Sequence, residues 1–273
     1  MSNLFLPQFQ TTTVQQRPHD YLVNGERYQR VTTALGVINK PALIPWTKRL
    51  VLDTVRRVLR DPAVASELGE VLALQGEGTT DRYDEWVDRL IASAGARPDA
   101  VRTERAALGT EVHSIIADAL VAASDNLDAY MPFVPEEQQP AVRGALAFLD
   151  DHHILVAETE LAVWSDELRV AGTIDGVGWC DDNLVIWDWK RSAGLYWETA
   201  LQLSAYALFL TWLTGKPVQR AWAVKLPRGP VPAGKPLYET RLLCHPLEAF
   251  AAYKAALILQ RASNVAWLAA EES

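Results

Sequence analysis

The stretch Glu158–Tyr206 reads ETELAVWSDELRVAGTIDGVGWCDDNLVIWDWKRSAGLYWETALQLSAY. Three apolar runs lie in it or overlap its start: Leu155–Trp164, Arg169–Trp179 and Asn183–Trp189. Each is rich in Val, Ile, Leu and Trp, and turn-forming Ser, Asp, Gly and Asn separate them. That pattern predicts strands joined by tight turns. The strands also carry acids that a core rejects. Asp175 closes Gly172-Thr173-Ile174-Asp175, Asp188 follows Leu184-Val185-Ile186-Trp187, and Lys190 stands two residues on. Side chains alternate across a strand, so Asp188 and Lys190 point one way and Trp187 and Trp189 the other. A neighbouring strand can bring Asp175 opposite that pair. Buried charges are costly unless paired or bound to a metal. Two carboxylates, a backbone carbonyl and water make a hard-oxygen site suited to Mg²⁺. Taken alone, Asp-x-Lys is a weak signal, and a structural ion pair at a strand end is the more ordinary reading of it.

Downstream, Glu198–Thr214 is an apolar helix on which Gln202 and Tyr206, four apart, share a face. On their own they could simply be its polar side. Val218–Leu226 and Leu237–Leu243 read as two further strands around the Pro-Gly-rich loop Pro227–Pro236, and 246–268 as a closing helix. Upstream, 98–122 reads as a long helix in which Gly109, His113, Ile116 and Leu120 share a stripe. A histidine on such a stripe is commonly a core residue; Gly109 one turn earlier leaves room for His113 to lean over the sheet as a metal ligand or phosphate contact. A polar connector, Ser124–Pro140, and a helix over 139–151 separate it from the strands. Glu158 and Glu160 share a face of the first strand, so one of them could join the acidic site.

Residues 1–30 are polar and carry Pro7 and Pro18, which suggests an arm or covering loop. Thr32 or Thr33 could cap a short helix after it. Residues 42–60 carry Leu43, Trp46, Leu50, Val51, Val55 and Val58 at helical spacing, with Lys48, Arg49, Arg56 and Arg57 on the remaining surface. That surface could meet a nucleic-acid strand or only water. Two more helices, 62–74 and 80–95, complete a helical lobe over 31–96. The expected division is an arm and lobe over 1–96 and a core over 97–273.

At 273 residues and 49% hydrophobic content, the chain can bury a sizeable core. No run approaches the roughly 18 apolar residues a spanning helix needs, and residues 1–30 lack the apolar stretch of a signal peptide. A cytoplasmic, membrane-free protein is expected. Cys180 and Cys244 make neither a disulfide framework nor a CxxC pair, and an iron–sulfur cluster, which takes four thiolates, is not expected. The net charge of −8 counts against broad nucleic-acid binding but not against a locally basic site.

Taken together, the motifs resemble the PD-(D/E)XK nuclease superfamily in its RecB-type, phage exonuclease branch. The matching residues run in that family's order: Gly109-Thr110-Glu111-Val112-His113, Glu160, Gly172-Thr173-Ile174-Asp175, Asp188-Trp189-Lys190, and Gln202-x-x-x-Tyr206. They cover roughly residues 105–210. Val31–Trp46 also resembles the N-terminal segment of phage-encoded members. Ile174 stands where many members have Pro, and the four iron–sulfur cysteines of some relatives are missing.

The resemblance implies an α/β, restriction-endonuclease-like core: a central mixed β-sheet flanked by helices, with an N-terminal helical lobe. It implies a Mg²⁺- or Mn²⁺-dependent deoxyribonuclease, an exonuclease of DNA recombination, repair or replication. An end-binding recombination accessory protein with little turnover, or a structure-specific endonuclease, is the alternative. His113, Asp175 and Asp188 are the implied metal ligands, with Glu160 completing the shell through water. Lys190 is the implied catalytic cation. Gln202, Tyr206, Arg191, Lys48 and Arg49 are the expected DNA contacts. The expected partners are linear, end-bearing DNA and a single-strand annealing protein, with an oligomer possible.

Overall fold

The structure, a computed structural model, describes residues 11–38, 49–50, 52–53, 56–57, 60–73, 83–89, 109, 111–120 and 130–265. By its internal contacts the chain divides into two units: Met1–Ile38 with Gly109–Ser273, and Asn39–Leu108. The second unit holds helices α2 (Pro62–Ala73) and α3 (83–89), with an ion pair between Arg89 and Glu67 at 3.8 Å. The first unit contains a mixed sheet flanked by helices, an α/β architecture.

Eight strands build that sheet: β1 (Val14–Gln16), β2 (Asp20–Val23), β3 (Glu26–Arg30), β4 (Leu155–Ser165), β5 (Val170–Cys180), β6 (Asn183–Lys190), β7 (Val218–Lys225) and β8 (Glu239–Leu242). Their order is β1-β2-β3-β5-β6-β7-β8, with β4 on β5. The pairs β3/β5 and β6/β7 are parallel and the others antiparallel. β4 to β8 form where apolar, β-branched and aromatic runs predict them.

The arm expected over residues 1–30 is instead a three-stranded extension of the sheet across its described part, 11–30. Asn24 and Gly25 both have positive φ, 52° and 83°, and turn β2 back on β3. Left-handed conformations at two successive residues match the twist of a hairpin, and Asn-Gly supplies them with least strain. β3 then runs directly into α1 (Val31–Ala34), whose N-cap is Arg30; Thr32 and Thr33 lie inside the helix and cap nothing. Because β3 pairs with β5, residues 11–38 fall in the same compact unit as the sheet, where the sequence groups them with the helical lobe.

The sheet is open at one place. β4 covers one edge of β5 from Leu155↔Trp179 to Ser165↔Val170. The other edge is shared: β3 pairs at Val170 and Ala171, and β6 pairs from Gly176 to Cys180. Between them, Gly172–Asp175 has no strand on that edge among the described residues. Asp188–Lys190 of β6, running past the end of this ladder, pairs with β7 alone. The two strands therefore part where the acids stand. Side-chain chemistry replaces the missing rung: the Trp189 N–H donates to Asp175 Oδ2 at 2.7 Å.

Each face of the sheet is buried under helices. On one side Leu184 and Ile186 of β6 pack with Leu203, Ala205, Tyr206 and Phe209 of α6 (Glu198–Thr214) and Phe250 and Tyr253 of α7 (Pro246–Val265). On the other Val185, Trp187 and Trp189 pack with Val112 and Ile116 of α4 (111–120) and Phe148 of α5 (Gln139–Asp151). The strict alternation along β6 is the period-two pattern, and it turns Asp188 and Lys190 toward α6. Every residue from Leu201 to Ala207 is buried, so α6 is a core helix and not an amphipathic surface one.

Candidate metal centre

A cavity of about 670 Å³ opens at the gap between β5 and β6. His113 from α4, Glu160 from β4, Asp175 from β5, Asp188 and Lys190 from β6, and Gln202 and Tyr206 from α6 all line it. Residues separated by tens of positions in sequence converge because β4 lies across β5 from the open edge, while α6 and α4 cover the two faces of the sheet beside it.

The convergence has two halves. In the first, one ligand atom each from His113, Glu160 and Asp175 lie within 4.8 Å of one another. His113 Nδ1 stands 3.2 Å from Asp175 Oδ1. Glu160 sits opposite Asp175 in the β4/β5 register, between the pairs Thr159↔Gly176 and Leu161↔Ile174. Its φ of 52° is left-handed, unusual for a glutamate inside a strand. Glu158 is only half-buried and does not line the cavity.

In the second half, Asp188 is 2% exposed and forms an ion pair with Lys190 through Oδ2. Gln202 spans the pair, its Nε2 donating to Asp188 Oδ1 at 2.9 Å and its Oε1 accepting from Lys190 Nζ at 3.1 Å. The Tyr206 hydroxyl lies 3.1 Å from the same Nε2 and is buried beneath it. Gly172 makes room for that ring: a Cβ there would lie 2.5 Å from Tyr206 Cε1.

Electrostatics follow from crowding acids in a partly dry cavity. Glu160 is exposed as a residue, but its carboxyl turns inward, where burial and then Asp175 push its pKa up to about 7. Burial likewise raises Asp188, against the pull of Lys190. For Lys190, burial disfavours the ammonium, but Asp188 and Asp175 outweigh it and hold the pKa above its ordinary value. For His113, burial is overcome by Asp175, by charge and hydrogen bond, so its pKa is also raised. Burial puts Tyr206 well above the ordinary tyrosine range, and its hydroxyl stays protonated.

The donor set of one imidazole nitrogen and two carboxylates within reach of one point can hold a divalent cation. Of the expected ligands, His113 and Asp175 belong to it together with Glu160, and Asp188 stands beside it, paired with Lys190 and hydrogen-bonded to Gln202. Gln202 and Tyr206, expected to meet DNA, line the cavity, where they are hydrogen-bonded to each other and Gln202 is also bonded to the acid–lysine pair. Arg191 is half-buried just beyond Lys190. Lys48 lies outside the described residues, and Arg49 is exposed in the second unit.

One wall of the cavity was not expected at all. Gln16, Tyr21, Arg30 and Thr32 line it from the N-terminal extension. Tyr21 and Thr173 share a hydrogen bond of 2.8 Å between their hydroxyls, and Arg30 lies over the Tyr21 ring at 5.6 Å. The overlooked signal was Asn24-Gly25, which marks a hairpin and so places both its strands on a sheet.

No family model matches the chain, and no curated protein matches it. No described helix is long and apolar enough to cross a membrane.

Proposed function

We propose that this chain is a divalent-metal-dependent deoxyribonuclease of the PD-(D/E)XK superfamily, with the restriction-endonuclease-like core of the RecB-type branch. The observation that carries this reading is the meeting of His113, Glu160, Asp175, Asp188 and Lys190 around one cavity. A structural ion pair accounts for Asp188 and Lys190 but not for an imidazole and two further carboxylates drawn to the same gap in the sheet.

The residues fit Mg²⁺ or Mn²⁺. Three donors lie within 4.8 Å, and the imidazole favours Mn²⁺ more than an all-oxygen set does. When bound, such a cation supplies Lewis acidity, polarising the phosphate and lowering the pKa of water. His113 and Glu160 would hold it in their deprotonated forms beside Asp175. Lys190, a compact charge kept protonated by its carboxylate neighbours, would orient the attacking water and stabilise charge growing on the phosphate oxygens. Gln202 fixes the Lys190 ammonium by its carbonyl and Asp188 by its amide, so the cation is already aimed before substrate arrives. Hydrolysis forms the bond from water oxygen to phosphorus, breaks the bond to the leaving oxygen, and delivers a proton to that oxygen.

The proposed substrate is linear, end-bearing DNA, and the proposed setting is recombination, repair or replication in a phage or bacterium, beside a single-strand annealing protein. Incubation with linear and closed circular DNA in Mg²⁺ or Mn²⁺ tests the activity. Digestion of the linear form alone supports an exonuclease, cutting of both an endonuclease, and binding without cutting the accessory reading.

A further inference from the structure

Arg191 follows Lys190 directly, where β6 leaves the sheet. Its guanidinium has a fixed seat: one terminal NH donates to Gln138 Oε1 at 2.6 Å, and Gln138 is 2% exposed at the start of α5. Its Nε is buried and has no hydrogen-bond partner. A second arginine is brought to the same place, since Arg228 Nε donates to the Arg191 carbonyl at 2.5 Å. Arg228 belongs to the loop 227–236, and both ends of that loop lie against α5. A Cβ on Gly144 would stand 2.5 Å from the Leu237 carbonyl oxygen and 3.1 Å from Pro227 Cδ.

The start of α5 and the loop packed on that helix therefore bring two cations to one place. Burial and then Arg228 depress the Arg191 pKa, and Glu137 and Glu111 offset this only in part. An arginine meant only for solvent would swing away from its neighbour into water. Here the fork is tied down with a buried donor left over, and an unmet buried donor is costly. Phosphate oxygens answer both needs, because guanidinium forks bind them through paired charge-assisted hydrogen bonds.

We propose that Arg191 and Arg228 form a phosphate subsite that grips one backbone phosphate of the DNA strand, next to the phosphate held at Lys190. This rests on the nuclease reading above. The subsite would set the register of the strand, since its first arginine adjoins the catalytic lysine in sequence.

The test is the salt dependence of binding, read by fluorescence anisotropy of a labelled oligonucleotide in EDTA, with wild type, R191A/R228A and R191K/R228K. Loss of one phosphate contact lowers the slope of log K against log salt by about 0.7–0.9. The double alanine variant is expected to lose that much, and to unfold cooperatively at a somewhat lower temperature because Gln138 loses its partner. The double lysine variant keeps the charge and not the fork, so it is expected to recover the slope with weaker binding. Oligonucleotides carrying one uncharged methylphosphonate are then scanned. At one position wild type is expected to show the same loss, and the alanine variant no further loss. A full slope in the alanine variant, or a loss matched at no single phosphate, overturns the subsite alone. A wild-type protein that neither binds nor cuts DNA overturns the nuclease reading and the subsite with it.

Discussion

At the scale of single residues, Lys190 and Glu160 carry the sharpest consequences. Lys190 has two duties, as the counter-charge of a buried Asp188 and as the proposed transition-state cation. Truncation to alanine would disturb both, because an unpaired buried carboxylate is itself destabilising. Lys190→Gln separates them, since an amide can still donate to Asp188 without the charge. Cleavage by that variant should fall by about 100-fold or more, the usual cost of losing one transition-state stabiliser, while its thermal stability falls less than that of Lys190→Ala. Undiminished cleavage would remove Lys190 from the chemistry. Glu160 makes a prediction about pH. Its pKa rises from 4.5 to about 7 on folding, so the unfolded chain gives up that proton first. Between those values the folded protein binds more protons, and stability must fall as pH rises. His113, also raised, adds a loss of the same sign above its ordinary 6.5. Urea unfolding in EDTA from pH 4.5 to 8 should show the decline, and Glu160→Gln should flatten its lower part. Equal slopes in the two proteins would place the Glu160 carboxyl in water and not in the cavity.

At the scale of elements, the legible and illegible parts divide by how local their cause is. The strands β4 to β8 and helices α5 to α7 follow from runs of apolar and β-branched residues, a cause contained within each segment. The alternation along β6 that turns Asp188 toward Lys190 was equally local. The hairpin β2–β3 was marked by Asn24-Gly25, yet its short, polar strands have no apolar run to announce them, and their place beside β5 is a long-range fact. That Glu160, and not Glu158, stands beside His113 and Asp175 is not legible in the run of residues, because its left-handed backbone and its placement opposite Asp175 arise only in the paired sheet. Gly172 is the point where strand and helix fit is tightest. A Cβ there would meet the Tyr206 ring at 2.5 Å and its hydroxyl at 3.1 Å. That ring is buried, so it cannot swing aside freely. Gly172→Ala should cost about 1–3 kcal/mol, as over-packing does, and should lower cleavage as well, because Tyr206 supports the Gln202 amide that aims Lys190. An alanine variant as stable as wild type would mean that β5 and α6 separate more easily than their packing implies.

At the scale of the molecule, the site depends on the whole sheet being assembled. His113, Glu160 and Asp175 stand on α4, β4 and β5, and nothing in the unfolded chain holds them within 4.8 Å. A cation that binds there binds the folded state alone, and so adds stability by mass action. At 100 times its dissociation constant the gain is about 2.7 kcal/mol. For a folded unit of this size, each kcal/mol moves the midpoint by about 2–4 °C, so Mn²⁺ should raise the unfolding temperature by about 5–10 °C over EDTA. Asp175→Asn should abolish the rise, because it removes a carboxylate proposed to hold the cation and weakens the hold on His113. Lys190→Gln should preserve it, because Lys190 is not a ligand. This pattern separates metal binding from turnover, which an activity assay cannot do. The accessory reading and the enzyme reading both allow the shift; a structural ion-pair cluster without a metal role does not. Equal unfolding temperatures in Mn²⁺ and EDTA, or an equal shift in Asp175→Asn, would reduce the three side chains to a buried hydrogen-bond network.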